Sequence, residues 1–239
     1  MVLAVMTVCN FVVYRFSNVI NQYFTAIDLD DPEVQEARNA GLELSEEIED
    51  EGIVLLKNEN SALPLAERKV NVFGYTSIDI NFGGTGSGGA EDTANVSLYQ
   101  GLENAGIETN SDLKTVYEDK YHSKAEVNVM AMMGGDYNNY EPSADIYTDD
   151  LINSAKEFSD TALVVLTRNG GEGSDLPLDT AEYEGGAEGE HYLELNQNER
   201  DMLAIVEENF SNVIIITNSS NAMELGFSED DAVDEAIWV

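Results

Sequence analysis

The stretch of this chain best suited to do chemistry is Gly170-Gly171-Glu172-Gly173-Ser174-Asp175. A carboxyl group among glycines has an accessible backbone around it and room for a ligand at its side. Placed so, a carboxylic acid can give a proton to a leaving group and later take one from water. Composition alone argues for a blander reading. The chain has 47 Asp and Glu residues, so one more glutamate in a loop is, on that ground, a solvated side chain. A second candidate is the glycine run from Gly83 to Gly89, between a strand signal and a helix signal. Glycines ahead of a helix N-terminus suit an anion. Gly84, Gly86 and Gly89 spell G-x-G-x-x-G. That fingerprint should begin directly after a strand, though, and residues 75–83 intervene here. No Lys-Ser/Thr pair follows as in a P-loop. A structural loop edging a pocket fits better than a nucleotide site. Tyr117, Tyr121, Tyr137, Tyr140 and Tyr147 could stack on sugar rings, or simply pack a loop onto a core.

Other chemistries drop out by count. His122 and His191 are the only histidines and Cys9 the only cysteine. A Ser/His/Asp constellation, a His-rich or Cys-based metal site and a disulfide within the chain are therefore not expected. His191 reads as a surface residue in an acidic loop. No cofactor and no metal is expected.

The elements that must position these residues are short apolar strands alternating with helices. Lys69–Gly74, Ala162–Thr167 and Asn212–Thr217 read as strands, the last two as fully buried ones. Val127–Met132 is a weaker strand signal. Asp31-Pro32 starts a helix, with Val34, Ala37, Gly41, Leu44 and Ile48 at helical spacing. Further helices are expected over Asn95–Ala105, over Thr148–Phe158, and from Asn196, where Glu199 stands at the capping-box position, to about Asn209. Alternating elements of this kind predict an α/β fold: a mostly parallel sheet with helices on both faces, an α/β sandwich. Glu172 then falls at the C-terminal end of a buried strand, where such sheets bind ligands. Ala236–Val239 reads as the start of a further strand, so the fold is expected to be truncated at its C-terminus, with more chain beyond Val239.

With 11 Lys and Arg against 47 acids, the formal net charge is −36. A chain so acidic repels phosphate backbones and anionic membrane surfaces, which excludes nucleic acid as a partner. Hydrophobic residues still make up 43%, enough to escape the composition of a disordered chain. Residues 1–27 carry one charge, Arg15, and form a separate apolar segment. The run Met1–Val13 is shorter than the roughly 20 residues of a spanning helix. It reads as the remnant of a membrane anchor or as an amphipathic helix, ahead of a domain over 28–239.

Several stretches together resemble the α/β sandwich domain of glycoside hydrolase family 3, the β-glucosidase family. Glu51–Leu65 (EGIVLLKNENSALPL) is similar to that domain's opening signature. Lys69–Gly74 stands where its first strand lies, and Gly83–Gly89 resembles its glycine/serine loop. Val164–Gly173 (VVLTRNGGEG) resembles the strand and loop that present the acid/base glutamate, which falls on Glu172. Leu193–Glu199, Val213–Ser219 and Ala232–Trp238 match the segments that follow. The resemblance implies an exo-acting retaining β-glycosidase, with an oligosaccharide or β-glucoside substrate. It places the nucleophile, an Asp, on a (β/α)8 barrel of the same polypeptide that lies outside these 239 residues. The short run before the signature is similar to members with the sandwich first and the barrel last, some of them membrane-anchored, which implies an extracellular or cell-surface enzyme. Many members continue Gly-Glu-Gly with an aromatic residue and Asp-Arg. This chain has Ser174-Asp175-Leu176, so Ser174 and Asp175 are the candidates for substrate contact and the arginine is absent. The alternative is a non-catalytic carbohydrate-binding or interaction module on the same fold.

Overall fold

The computed structural model describes residues 2–24, 28, 30–59, 62–83, 95–120, 137–171 and 175–239. The chain divides into two units, residues 1–51 and 52–239. The first contains α1 (Val2–Arg15), α2 (Ser17–Phe24) and most of α3 (Pro32–Gly52). α3 begins as its sequence predicts: Asp31 Oδ1 accepts the Glu33 N–H at 2.8 Å, and Pro32 takes the first helical position. It buries none of its residues, and Leu44 and Ile48 face solvent. Along α1, Leu3, Val5, Met6, Val8 and Phe11 are exposed. Among the described residues no helix is long and apolar enough to cross a membrane.

Among the described residues the second unit has six strands: β1 (Val54–Asn58), β2 (Lys69–Phe73), β3 (Glu108–Thr109), β4 (Thr161–Arg168), β5 (Asn212–Ser219) and β6 (Glu235–Trp238). Their order across the sheet is β1-β6-β5-β4-β2-β3. Only β1 is antiparallel, to β6; the other pairings are parallel. The sheet is thus the mostly parallel one expected. Every residue of β4 is buried, which is why its run of apolar residues lacks alternation. Eight successive residues of β4 pair with β5, so the two strands end together at Arg168 and Ser219.

Helices α4 (Leu98–Asn104), α5 (Ser111–Lys120), α6 (Asp149–Phe158) and α7 (Gln197–Asn209) cover the two faces unequally. Phe73, Val164, Leu166, Val213 and Ile215 pack one face against Leu113 and Tyr117 of α5, Ile152 and Ala155 of α6, and Met202, Leu203 and Val206 of α7. The other face, with Val70, Val72, Leu163, Val165 and Ile214, is met by Leu98 and Leu102 of α4 and by Leu63 and Leu65. At about 1.5–3 kcal/mol for each fully buried aliphatic or aromatic side chain, these two layers hold the strand ends in place. The capping box at α7 is present: Asn196 Oδ1 accepts from Glu199 N and Glu199 Oε2 from Asn196 N, both at 2.9 Å. α4 starts later than predicted because Ser97 is its cap, accepting from Gln100 N. α5 was not predicted. The possible strand at Val127–Met132 lies outside the described residues.

Candidate active site

Three connections leave the C-terminal edge of the sheet side by side, after β2, β4 and β5. The one after β4 carries the predicted acid. Glu172 and Ser174 lie outside the described residues, but the backbone on either side of them is described. Before them, Asn169 N–H donates to the Tyr192 hydroxyl at 2.9 Å, and Gly170 N–H donates to Ser220 Oγ at 2.8 Å. A side chain at Gly170 would crowd Asn221, whose Oδ1 and Cβ would sit 3.1 and 3.3 Å from the new Cβ. After them, the Tyr137 hydroxyl donates to the Asp175 carbonyl at 3.0 Å. The Asp175 side chain itself is exposed. Tyr137 and Tyr192 meet edge to face, with ring centroids 5.1 Å apart, so the two tethers support each other. Burial pushes the Tyr192 phenol up to about 12, against the lowering effect of the Asn169 bond, so it is neutral at any ordinary pH.

Beneath this loop lies Arg168, one of the largest fully buried side chains in the chain. Its Nη1 and Nη2 donate to Glu199 Oε1 and Oε2 at 2.8 and 2.7 Å. The remaining donors reach backbone carbonyls: Nε to Tyr192 at 2.7 Å, Nη2 to Glu194 at 2.5 Å, and Nη1 to Thr167 at 2.9 Å. All five N–H groups of the guanidinium are used. Burial works against its charge, but Glu199 outweighs burial and raises its pKa above the ordinary value. The last residue of β4 thereby fixes the 192–199 segment that holds the loop. Sequence reading identified Glu199 only as a cap and did not single out Arg168 or Tyr192. The available signal was a cation closing an otherwise uncharged buried-strand run.

The connection after β2 turns at Gly74, whose φ is +97°. A Cβ there would lie 2.3 Å from the Val165 carbonyl oxygen, so glycine is required by space as well as by conformation. Thr76 Oγ1 donates to that same carbonyl at 3.0 Å. Further on, Asn81 and Asn218 bond reciprocally: Asn81 N–H to Asn218 Oδ1 at 2.6 Å, and Asn218 Nδ2 to the Asn81 carbonyl at 3.0 Å. The glycine run therefore starts from a point tied to the end of β5. Its residues 84–89 lie outside the described residues.

Behind the β2 turn sits Glu141, fully enclosed. Its Oε2 accepts the Tyr75 N–H at 2.6 Å and its Oε1 the Tyr147 hydroxyl at 2.5 Å. Tyr147 is in turn 2.7 Å from the Tyr117 hydroxyl, which accepts Gly74 N–H at 2.9 Å. Burial raises the Glu141 carboxyl to about 8, with the bonds from Tyr147 and Tyr75 opposing and nearby Glu199 adding to the rise. Tyr117 and Tyr147 thus pack the core, the second of the two roles open to the tyrosines. Among the described residues one group of donors could hold a metal ion, His191 with Glu194 and Glu224.

A profile of the glycosyl hydrolase family 3 C-terminal domain matches residues 53–239. A β-glucosidase of Ruminococcus albus is 33% identical over 204 residues, which span 84% of this chain and 20% of that protein. β-Glucosidase A of Butyrivibrio fibrisolvens is 28% identical over 212 residues, 82% of this chain and 25% of that protein. Among solved structures, a β-glucosidase from Paenibacillus barengoltzii superposes with a TM-score of 0.61 at 32% identity, over 79% of this chain and 20% of that one. β-Glucosidase 3B from Thermotoga neapolitana, in complex with α-D-glucose, does so at 0.60 and 28%, over 78% and 25%. The chain therefore spans about a fifth to a quarter of the length of the relatives it matches.

Proposed function

From the premise that the chain belongs to glycosyl hydrolase family 3, through its C-terminal domain, we propose that it is the acid/base-bearing part of a retaining exo-β-glycosidase of the β-glucosidase type. What supports this reading is the backbone on either side of the Glu172 segment: Gly170 N–H is held by Ser220 and the Asp175 carbonyl by Tyr137, where β4 and β5 end together. Proton transfer in a fixed geometry requires a carrier segment whose flanks are held in this way.

In the proposed mechanism a nucleophilic Asp, carried on a barrel outside these 239 residues, attacks the anomeric carbon of a terminal β-linked sugar. Glu172 protonates the departing glycosidic oxygen, and the bond to the aglycone breaks. Glu172, now a carboxylate, deprotonates the water that displaces the Asp, which regenerates both groups. Retention needs the two carboxyls about 5–5.5 Å apart. The nucleophile's negative charge would help keep Glu172 protonated until it is needed.

The test uses the enzyme that contains this chain together with its barrel. Glu172→Ala should slow deglycosylation by about 10²–10⁴-fold, the usual worth of a general base. Azide, which needs no deprotonation, should restore turnover with the β-glycosyl azide as product. Failure of azide to rescue counts against Glu172. The chain by itself should not hydrolyse aryl β-glucosides; sugar binding by the isolated chain that survives Glu172→Gln would favour a non-catalytic module instead.

A further inference from the structure

The turn that carries Tyr192 holds a second polar constellation, and the catalytic reading does not use it. His191 Nε2 lies 3.2 Å from Glu194 Oε1 and 3.3 Å from Glu224 Oε1, and the three atoms are all within 4.8 Å of one another. No Lys or Arg is paired with either carboxylate among the described residues. The imidazole is half-buried, and its Nδ1 is closed off from water without a hydrogen-bond partner. Nε2 is therefore the nitrogen available to a ligand.

The spacing from Nε2 suits a shared ion. Both contacts are longer than the about 2.7–2.9 Å of a charge-assisted N–H···O bond. Two ligands on a tetrahedral ion with bonds of about 2.0–2.2 Å stand roughly 3.3–3.5 Å apart, close to what is seen. The donors are also held in place before any ion arrives. Glu194 N–H donates to the His191 carbonyl at 3.1 Å, which closes the turn. Glu224 N–H donates to the Leu193 carbonyl at 3.0 Å, which pins the second segment to it. From the core side, Arg168 Nη2 holds the Glu194 carbonyl. Ordering the site on binding therefore costs little. Glu224 is 60% exposed, which leaves a path for the ion and a place for water as the fourth ligand.

We propose that His191 Nε2, Glu194 Oε1 and Glu224 Oε1 form a site for a zinc-like first-row divalent cation that ties the 191–195 turn to the segment following β5. One imidazole with two carboxylates suits Zn²⁺ or its neighbours, whereas Mg²⁺ and Ca²⁺ favour oxygen donors alone. The two segments so joined also supply Tyr192 and Ser220, the hydrogen-bond partners of Asn169 and Gly170. An ion at this point would stiffen both tethers of the loop that leads to Glu172. The site does not depend on what Glu172 does.

The experiment uses the 239-residue chain stripped with chelator. Isothermal titration with Zn²⁺ should show one saturable site, accompanied by a rise in Tm that chelator reverses. His191→Ala and Glu224→Gln should each weaken binding by at least the roughly 10–100-fold that loss of even a supporting residue causes. Glu103→Gln, a solvated acid on α4, should leave it unchanged. Mg²⁺ at equal concentration should give little or no shift, and Co²⁺ should give the visible absorption of a low-coordinate site. Absence of saturable Zn²⁺ binding overturns the proposal. So does saturable binding that survives both His191→Ala and Glu224→Gln. Both replaced side chains are partly exposed, and circular dichroism of each variant confirms that the comparison is between folded proteins.

Discussion

Glu141→Gln should make the second unit more stable as the pH rises, relative to the parent chain. The folded carboxyl sits at about 8 against an ordinary value of 4.5, mainly because burial disfavours its charge. Between those two values the unfolded chain has released the proton and the folded chain has kept it. Stability then falls as pH rises, by about 1.4 kcal/mol per pH unit, and the loss is complete just above pH 8. Over the whole window that amounts to about 5 kcal/mol, an upper figure because water reaching an ionised carboxylate would soften it. The groups facing Glu141 do not mask the effect. Tyr117 and Tyr147 are raised well above their ordinary value and stay neutral through this range. Glu199 is engaged by Arg168. Glutamine can still accept from Tyr75 N–H, and its amide can donate to the Tyr147 oxygen, so the packing survives while the titration is removed. The assay is urea unfolding of both proteins from pH 5 to pH 9. The quantity read is the difference between them, since titrations elsewhere cancel. That difference should climb in favour of the variant by several kcal/mol, with most of the climb below pH 8. A difference that stays flat within about 0.5 kcal/mol, the ordinary scatter of surface substitutions, would refute the reasoning.

The buried Arg168–Glu199 pair gives a second expectation: Arg168→Met and Glu199→Gln should each cost about 3–5 kcal/mol in urea unfolding, because either leaves a partner uncompensated. The double variant should cost less than the two added together, and independent small losses would contradict the network. Two glycines should respond with opposite signs. Gly74→Ala combines a φ of +97° with a Cβ 2.3 Å from the Val165 carbonyl and should cost more than about 1 kcal/mol. Gly101→Ala, in α4 with nothing within 4 Å, should gain about 0.5–1 kcal/mol. Chemical denaturation midpoints measure both.

The strands at the centre of the sheet were legible because burial on both faces leaves a local signature. Ala162–Thr167 and Asn212–Thr217 are apolar runs that need no partner to be recognised. The capping box at Asn196 was legible for the same reason, since its partners stand three residues apart. α5 was not, because it buries only Leu113 and Tyr117 among polar neighbours, too few to raise a helical period above the background. β1 lies within the Glu51–Leu65 signature and was not read as a strand; its antiparallel pairing with β6 joins residues some 180 positions apart in the chain.

The proposal of Glu172 rests on local signals, the glycines on either side of it and above all the resemblance of its segment to a family. How the loop around it is held could not be read locally. The supports come from Tyr137, Tyr192 and Ser220, and from an arginine whose five donors reach residues up to 31 positions away. His191 offers the clearest contrast. In sequence it is a lone histidine in an acidic loop, with no spacing that suggests a metal. In the fold, a parallel pairing of β4 with β5 brings the segment after β5 against the turn that carries His191, and Glu224 arrives beside it from 33 residues further along the chain. Side-chain type and local period are written in the chain and decide which strands and helices form. Convergence of donors from separate loops is a property of how those elements pack, and only the tertiary structure decides it.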